Sequence, residues 1–228
     1  MKRKLLAWFV HIYTAIGGVF GVFAMIYAAQ GEISTSFILL IISLVFDTTD
    51  GVMARKFHVR EILPDIDGVE MDNVIDILTY AWVPILIIYQ IDVLPHPALL
   101  VIPTLASLYY YAQANPKSED NFFLGFPVYW NVVALYLFLF MPGELVSTII
   151  LIIPAILSFI PTRYLYPSKN KYLWKTSWLL CGIWFSMVSY ILFANTTSTA
   201  IIIASLFFPV YYILLSFWCE YKARISQV

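Results

Sequence analysis

One stretch decides how this chain folds: DTTDGVMAR at residues 47–55, twelve further residues, and GVEMDNVID at residues 68–76. Both halves run into apolar segments long enough to be membrane helices. On a helix, Asp47 and Asp50 are i,i+3 neighbours and Asp72 and Asp76 are i,i+4 neighbours, so each pair shares a face. Ionisable groups at membrane depth are costly and therefore indicate function. Because four carboxylates that face one another repel and do not all ionise without a cation, the stretch predicts a divalent metal site.

The composition indicates the solvent in which the chain folds. Of its 228 residues, 61% are hydrophobic and only 12% are charged, whereas an ordinary soluble domain has about 25% charged residues. These values predict a polytopic membrane protein, surrounded by membrane lipid, with a single domain over residues 1–228. No nucleic-acid partner is expected.

Hydropathy predicts an all-α fold of eight membrane-spanning helices. The predicted spans are residues 5–29, 33–57, 69–91, 97–114, 126–141, 144–162, 172–194 and 198–218. If the chain crosses the membrane at each of them, all thirteen Lys and Arg residues fall on one side, in residues 1–4, the loops 55–68, 115–125 and 163–175, and the segment after residue 218. Because cytoplasmic loops are enriched in Lys and Arg, both termini and the acidic stretch are predicted to face the cytoplasm.

The residues beside the acids suit a phosphate-bearing ligand. Carboxylate oxygens favour magnesium, manganese or calcium over zinc. Gly51 and Ala54 leave the helix surface bare beside the acids, and Arg55, one turn after Gly51, can bind phosphate oxygens. The alternative is that the acids cap helix ends and the two small residues serve packing. One acid would fit that alternative, but four at these spacings beside Arg55 favour a ligand site.

The pattern Asp-x2-Asp-Gly-x2-Ala-Arg followed by Gly-x3-Asp-x3-Asp resembles the signature of the CDP-alcohol phosphotransferases, which are integral membrane enzymes of phospholipid synthesis. Every fixed position is present, as Asp47, Asp50, Gly51, Ala54, Arg55, Gly68, Asp72 and Asp76. The twelve residues between Arg55 and Gly68 are more than most of the family has. This spacing, the segment NFFLGFPVYWN at 121–131 and the high number of spans resemble the bacterial phosphatidylcholine synthases, the branch that joins CDP-diacylglycerol directly to choline.

The resemblance implies a role for each matching residue. Asp47, Asp50 and Asp72 would be the principal ligands of a two-metal Mn²⁺ or Mg²⁺ centre, with Asp76 near the second metal. Asp76 would also be the general base that takes the proton from the acceptor hydroxyl. The residues implied to bind the CDP group are Asp47, Gly51, Ala54, Arg55 and Gly68. The resemblance further implies a homodimer in the bacterial inner membrane, with the active site facing the cytoplasm.

Choline adds a requirement for its quaternary ammonium, which donates no conventional hydrogen bond and is usually held by aromatic faces. The candidates form an aromatic cluster at the cytoplasmic ends of the fourth and fifth spans, which includes Phe122, Phe123 and Tyr129. The residues of this cluster predicted to bind the ammonium are Tyr109, Tyr110, Tyr111 and Trp130. In a chain with 18% aromatic residues, the ordinary role of any single one is packing or a place in the interfacial belt. His11 and Thr14 in the first span are interpreted as a buried polar pair whose hydrogen bonds are satisfied.

Two alternatives to choline transfer stay open. The acceptor can instead be serine, inositol or glycerol phosphate, and a phosphorylated acceptor would need basic residues such as Arg163 and Lys169. A cation transporter would use intramembrane acids to relay ions, but here the acids cluster at one membrane face and no inverted repeat with broken helices is apparent. The leading prediction is transfer of the phosphatidyl group of CDP-diacylglycerol to choline, which gives phosphatidylcholine and CMP by direct attack of the choline hydroxyl.

Overall fold

The computed structural model describes residues 1–113, 122–165, 173–194 and 198–225, with side chains up to residue 222. Asn121 and three basic residues that enter the topology prediction, Lys117, Lys169 and Lys171, lie outside the described residues, as does the side chain of Arg224.

Helices make up most of the described chain. The α-helices are α1 (Lys2–Ala29), α2 (Ile33–Lys56), α3 (Val59–Ile62), α4 (Gly68–Asp76), α5 (Val83–Gln90), α6 (Val101–Ala112), α7 (Trp130–Phe140), α8 (Glu144–Phe159), α9 (Trp174–Phe193), α10 (Thr199–Ser205) and α11 (Phe207–Ile225). A π-helix (Ile77–Trp82) joins α4 to α5, and a 3₁₀ helix (Pro97–Leu100) leads into α6.

Five of the apolar helical segments are long enough to cross a membrane, as judged by length and composition: Lys2–Ala29, Ile33–Lys56, Gly68–Gln90, Trp174–Phe193 and Thr199–Lys222. The chain is therefore a mostly helical, multi-pass membrane protein. Three shorter apolar helices, Pro97–Ala112, Trp130–Phe140 and Glu144–Phe159, coincide with the other predicted spans. Because a spanning helix needs about 20 apolar residues, the count of eight and the side on which each terminus lies stay predictions.

Helix α1 is the element against which the acidic helices pack, and small residues make this possible. A Cβ at Gly17 would lie 3.2 Å from Cβ of Phe46 in α2, and one at Gly18 would lie 3.1 Å from Cγ1 of Ile75 in α4. Ser43 Oγ of α2 donates a hydrogen bond to the Gly17 carbonyl at 2.9 Å. Close backbone approach and hydrogen bonds of this kind stabilise helix pairs in lipid, where the hydrophobic effect does not drive association. As a result, the acidic ends of α2 and α4 lie next to each other.

The third predicted span is one continuous helical rod, but its middle is a π-helix that the sequence pattern did not predict. Pro84 lies two residues after the end of the π-helix and lacks a backbone N–H. In a regular α-helix the ring of Pro84 would clash with the carbonyl of Tyr80, four residues earlier. Widening the turn before a proline is a known way to relieve such a clash, and π-helical turns are frequent at functional sites. At its start the rod is capped by Asp67, whose side chain accepts hydrogen bonds from the N–H groups of Val69 and Glu70.

The eighth predicted span is also interrupted, between α10 and α11. Pro209 cannot donate a backbone hydrogen bond to Ser205, and the helix breaks at Leu206. The Ser205 carbonyl instead accepts a hydrogen bond from the Tyr136 hydroxyl at 2.9 Å. A side chain of a neighbouring helix thus satisfies a backbone group that a membrane interior would leave without water.

A small ribbon departs from the all-α prediction. In the described part of the chain, β1 (Phe122–Leu124) pairs antiparallel with β2 (Arg163–Leu165), with Phe123 opposite Tyr164. Helix α11 holds the ribbon, because the Tyr212 hydroxyl donates to the Leu165 carbonyl at 2.9 Å. The segment between β1 and α7 is not helical, so the fifth apolar helix begins at Trp130 rather than at residue 126. Gly125 in this segment has φ +80° and passes so close to the Ser158 backbone that a Cβ would not fit.

Candidate active site

Three of the four predicted metal ligands meet where α2 and α4 adjoin. One carboxylate oxygen each of Asp47, Asp50 and Asp72 lies within 4.8 Å of the others. Asp50 is buried, with 7% of its surface exposed, and the other two are half-buried. Three carboxylates this close raise one another's energy unless positive charge lies between them. The donor set consists of hard oxygens, and it therefore fits a divalent cation such as Mg²⁺ or Mn²⁺.

Two hydroxyl groups from other helical segments bind these acids. Thr14 Oγ1 of α1 donates to Asp50 Oδ2 at 2.8 Å, and the Tyr80 hydroxyl of the π-helix donates to Asp47 Oδ2 at 2.8 Å. Sequence reasoning interpreted Thr14 only as a satisfied buried group and did not select Tyr80. A signal for Thr14 was present, because it lies one helical turn before Gly17 on the same packing face of α1.

Asp76 is not a member of the three-carboxylate group. It lies one helical turn after Asp72 at the end of α4. Its charge is within reach of the hydroxyls of Tyr80 and Tyr111. The roles predicted for Asp76, near a second metal and as general base, stay predictions.

The other residues of the signature divide into two groups. Gly51 lies beside the guanidinium of Arg55, since a Cβ at Gly51 would be 3.4 Å from Arg55 Nη1, and the charge of Arg55 reaches Asp50. Ala54 and Gly68 lie against α1 and α3. Ala54 packs on a small apolar cluster of Ala7, Val10 and Val59, and a Cβ at Gly68 would be 3.2 Å from Cε1 of the buried His11. These two positions have a demonstrable packing role in addition to any contact with a nucleotide.

The four predicted aromatic residues make different contacts in the structure. The Tyr111 hydroxyl lies within electrostatic range of Asp76, Asp47 and Asp72. The ring of Tyr110, which is buried, meets that of Tyr111 edge-on with centroids 5.5 Å apart. Tyr111 therefore interacts electrostatically with the acids, and Tyr110 packs against Tyr111.

The other two predicted aromatic residues pack against phenylalanine rings. Tyr109 is 44% exposed and pairs with the ring of Phe159, with centroids 4.6 Å apart. Trp130 is 1% exposed and packs on Phe126.

Tyr129 of the predicted aromatic cluster lies between two tyrosines that the sequence did not indicate, Tyr80 and Tyr212, and the three lead from the acids to the ribbon. The ring of Tyr129 lies 6.3 Å from that of Tyr80 and 5.7 Å from that of Tyr212. Tyr212 in turn binds the Leu165 carbonyl of β2. Since these residues come from the π-helix, the start of α7 and α11, no local pattern in the sequence links them.

Arg163, a basic residue considered for a phosphorylated acceptor, is engaged in the ribbon. Its Nε lies 3.8 Å from Oε2 of Glu220 in α11, and both side chains are mostly buried, with 24% and 14% exposure. A buried cation in contact with a carboxylate has its charge largely neutralised. This pairing lowers its capacity to attract a second phosphate.

The fold and this site together define a class, the multi-pass membrane proteins that present a carboxylate cluster suited to a divalent cation at the ends of two adjoining helices. No protein-family model matches the chain. Among proteins named phosphatidylcholine synthase, that of Legionella pneumophila is 34% identical over 99% of this chain and 94% of its own length. Those of Borreliella burgdorferi (33% identical, 96% and 97%) and Legionella bozemanae (35% identical, 88% and 98%) are similar to a like extent. The chain belongs to the phosphatidylcholine synthase family.

Proposed function

We propose that this protein is a transferase of phospholipid synthesis that moves the phosphatidyl group of CDP-diacylglycerol to choline, giving phosphatidylcholine and CMP. The observation that carries the proposal is the cluster of Asp47, Asp50 and Asp72 at adjoining helix ends, within a chain that belongs to this family. The carboxylate cluster lies at the ends of apolar helices, so the charged pyrophosphate of CDP-diacylglycerol can bind there while its lipid tails stay against the apolar helix surface.

Asp47, Asp50 and Asp72 would hold Mn²⁺ or Mg²⁺, and Asp76 would stand near a second ion. When bound, a divalent cation neutralises the charge that develops on the pyrophosphate oxygens and on the departing CMP. The cluster of three carboxylates within 4.8 Å supports this assignment. The signature residues beside it would bind the CDP group: Asp47, Gly51, Ala54, Arg55 and Gly68.

The transfer itself would be a direct displacement. The choline oxygen attacks the phosphorus of the phosphatidyl group, the bond from that phosphorus to the CMP oxygen breaks, and the hydroxyl proton passes to Asp76. Arg55 would orient the phosphates with its fork of donors. A carboxylate base needs only hydrogen-bond reach to the alcohol, and the place of Asp76 one turn beyond Asp72 supports separate roles for the two acids.

Aromatic faces would hold the choline ammonium. Tyr110 and Tyr111 are the best supported of the predicted residues, because Tyr111 interacts electrostatically with the acids that would surround the reacting atoms and Tyr110 packs against Tyr111. A cation near both tyrosine faces and carboxylates gains from the ring quadrupole and from the diffuse negative charge. Tyr109 and Trp130 would contribute through packing around this site rather than by contact.

The pairing of Arg163 with Glu220 supports choline over a phosphorylated acceptor. Glycerol phosphate would bring a second anion close to the pyrophosphate, and its binding would need an uncompensated cation. Choline carries a positive charge, so carboxylates and aromatic rings favour its binding. No specific observation favours serine, inositol or ion transport.

We also propose the eight-span topology, with both termini and the active site on the cytoplasmic face of a bacterial inner membrane, and a homodimer as the working unit. The distribution of all thirteen basic residues on one side supports the topology.

The test is a reaction of purified protein with labelled CDP-diacylglycerol and Mn²⁺, in parallel with choline, serine, inositol and glycerol phosphate. We expect labelled phosphatidylcholine and an equal amount of CMP with choline, and no lipid product with the other three. Preferred use of another acceptor would contradict the proposal.

A further inference from the structure

Tyr80 joins the acidic site from an unusual segment. It lies in the π-helix, four residues after Asp76, and is half-buried. Its hydroxyl donates to Asp47 Oδ2 at 2.8 Å, across the gap between this rod and α2. We propose that Tyr80 is a positioning residue, which holds the Asp47 carboxylate in the orientation that binds the divalent cation. This inference rests on the proposed function, in which Asp47 is a cation ligand.

The shape of the backbone supports a dedicated role for Tyr80. In a continuous α-helix, a residue eight positions after Asp72 would point about 80° away from it around the axis, since the helix has 3.6 residues per turn. A π-helix has i→i+5 hydrogen bonds, so more residues share a turn and each one turns the chain less. The π-helix therefore keeps Tyr80 on the side of the rod that Asp72 occupies, the side that faces α2.

The hydrogen bond is suited to orienting a ligand. A carboxylate that accepts a short O–H bond is in a charge-assisted interaction, which is stronger than a bond between neutral groups. The tyrosine cannot swing freely, because its ring packs on Tyr129 with centroids 6.3 Å apart. Asp50 has a corresponding restraint from Thr14, so two of the three carboxylates are each held by a hydroxyl of another helical segment. Partners of this kind, behind the ligands of a metal, commonly set its affinity.

The experiment measures Mn²⁺ binding by the loss of the free-ion electron paramagnetic resonance signal, on purified full-length protein without substrates. Tyr80→Phe removes the hydroxyl and keeps the ring, and Tyr89→Phe makes the same change at an exposed tyrosine of α5. We expect Tyr80→Phe to weaken Mn²⁺ binding by about 10- to 100-fold and Tyr89→Phe to leave it within about twofold. In chelator, Tyr89→Phe should unfold at the same temperature as the unchanged protein. Tyr80→Phe loses one hydrogen bond to a carboxylate and should unfold at a somewhat lower temperature, but still in a single cooperative transition, which shows that the variant is folded when its Mn²⁺ affinity is measured.

A second pair of variants keeps the test decisive if Tyr80→Phe does not fold. Tyr80→4-aminophenylalanine retains a donor at the same place, and Tyr80→4-methylphenylalanine fills the same volume without one. The first should bind Mn²⁺ to within about threefold of the unchanged protein and the second should show the full loss. Equal affinity in both, or unchanged affinity in Tyr80→Phe, would overturn the role of Tyr80 alone. Absence of Mn²⁺ and Mg²⁺ binding in the unchanged protein would overturn the cation site and this inference with it, whereas choline transfer is measured separately.

Discussion

Replacement of Gly21 by alanine should disturb the active site from a distance. A Cβ at this position of α1 would lie 2.9 Å from Cδ2 of Leu78 and 2.9 Å from Cγ2 of Thr79, both in the π-helix. Carbon atoms in contact prefer about 3.5–4.0 Å, so the two segments must separate by roughly 0.6–1.1 Å. The leucine end can rotate away, but the branched Thr79 is stiff at χ1, and its Oγ1 donates to the Ile75 carbonyl at 3.0 Å.

The displacement of Thr79 also moves the next residue of the π-helix, Tyr80, whose hydroxyl binds Asp47. Overpacking of this size costs about 1–3 kcal/mol of stability. A misplacement of about 1 Å in a catalytic arrangement lowers the rate by up to roughly 100-fold. We therefore expect Gly21→Ala to lower the rate of choline transfer by about 10- to 100-fold and to weaken Mn²⁺ binding.

The assay compares initial rates with labelled CDP-diacylglycerol and thermal unfolding of the purified protein. Gly182→Ala is the matched control, because nothing lies within 4 Å of a Cβ at that helical position. Both variants gain about the same helix propensity from alanine, so the difference between them isolates the contact with the π-helix. A Gly21→Ala protein with the rate and stability of the Gly182→Ala protein would refute the reasoning.

Three further predictions concern the acids and the topology. Chelation should abolish transfer, Mn²⁺ or Mg²⁺ should restore it, and Asp50→Asn should lose it; full activity of this variant in excess chelator would exclude the cation site. Asp76→Asn should lower turnover by about 10²–10⁴-fold while CDP-diacylglycerol binding falls far less, and labelled phosphatidyl trapped on the enzyme without choline would exclude direct attack. Single cysteines at Glu61 and Asp92, in a protein without its two native cysteines, should react with an impermeant thiol reagent from opposite sides of the membrane; reaction from one side only would contradict the topology.

Much of the fold and part of the site follow from the sequence alone. The second span was predicted at residues 33–57, and its helix is observed at Ile33–Lys56. The third span was predicted at residues 69–91, and its continuous helical segment is observed at Gly68–Gln90. Hydropathy locates such segments because the free energy of burying a side chain in lipid depends chiefly on that side chain. The i,i+3 spacing likewise placed Asp47 and Asp50 on one face, because helical geometry is local. The sequence also predicted that Asp72 joins them, because the carboxylates of two adjoining helices repel unless they share a cation.

Other features were decided only when the helices packed. No pattern near Tyr80 indicates that its hydroxyl reaches Asp47, 33 residues earlier, and Thr14 meets Asp50 across 36 residues. The same holds for the ribbon, in which residues 122–124 and 163–165 pair, and for the ring contact of Tyr109 with Phe159. The physical reason is that hydrogen bonds and ring contacts act over a few ångströms and depend on which helices are neighbours and how closely they approach. Here the close approach depends on the glycines of α1, because a side chain at these positions would collide with the neighbouring helices. The sequence contains the glycines but does not show which helices pack against them.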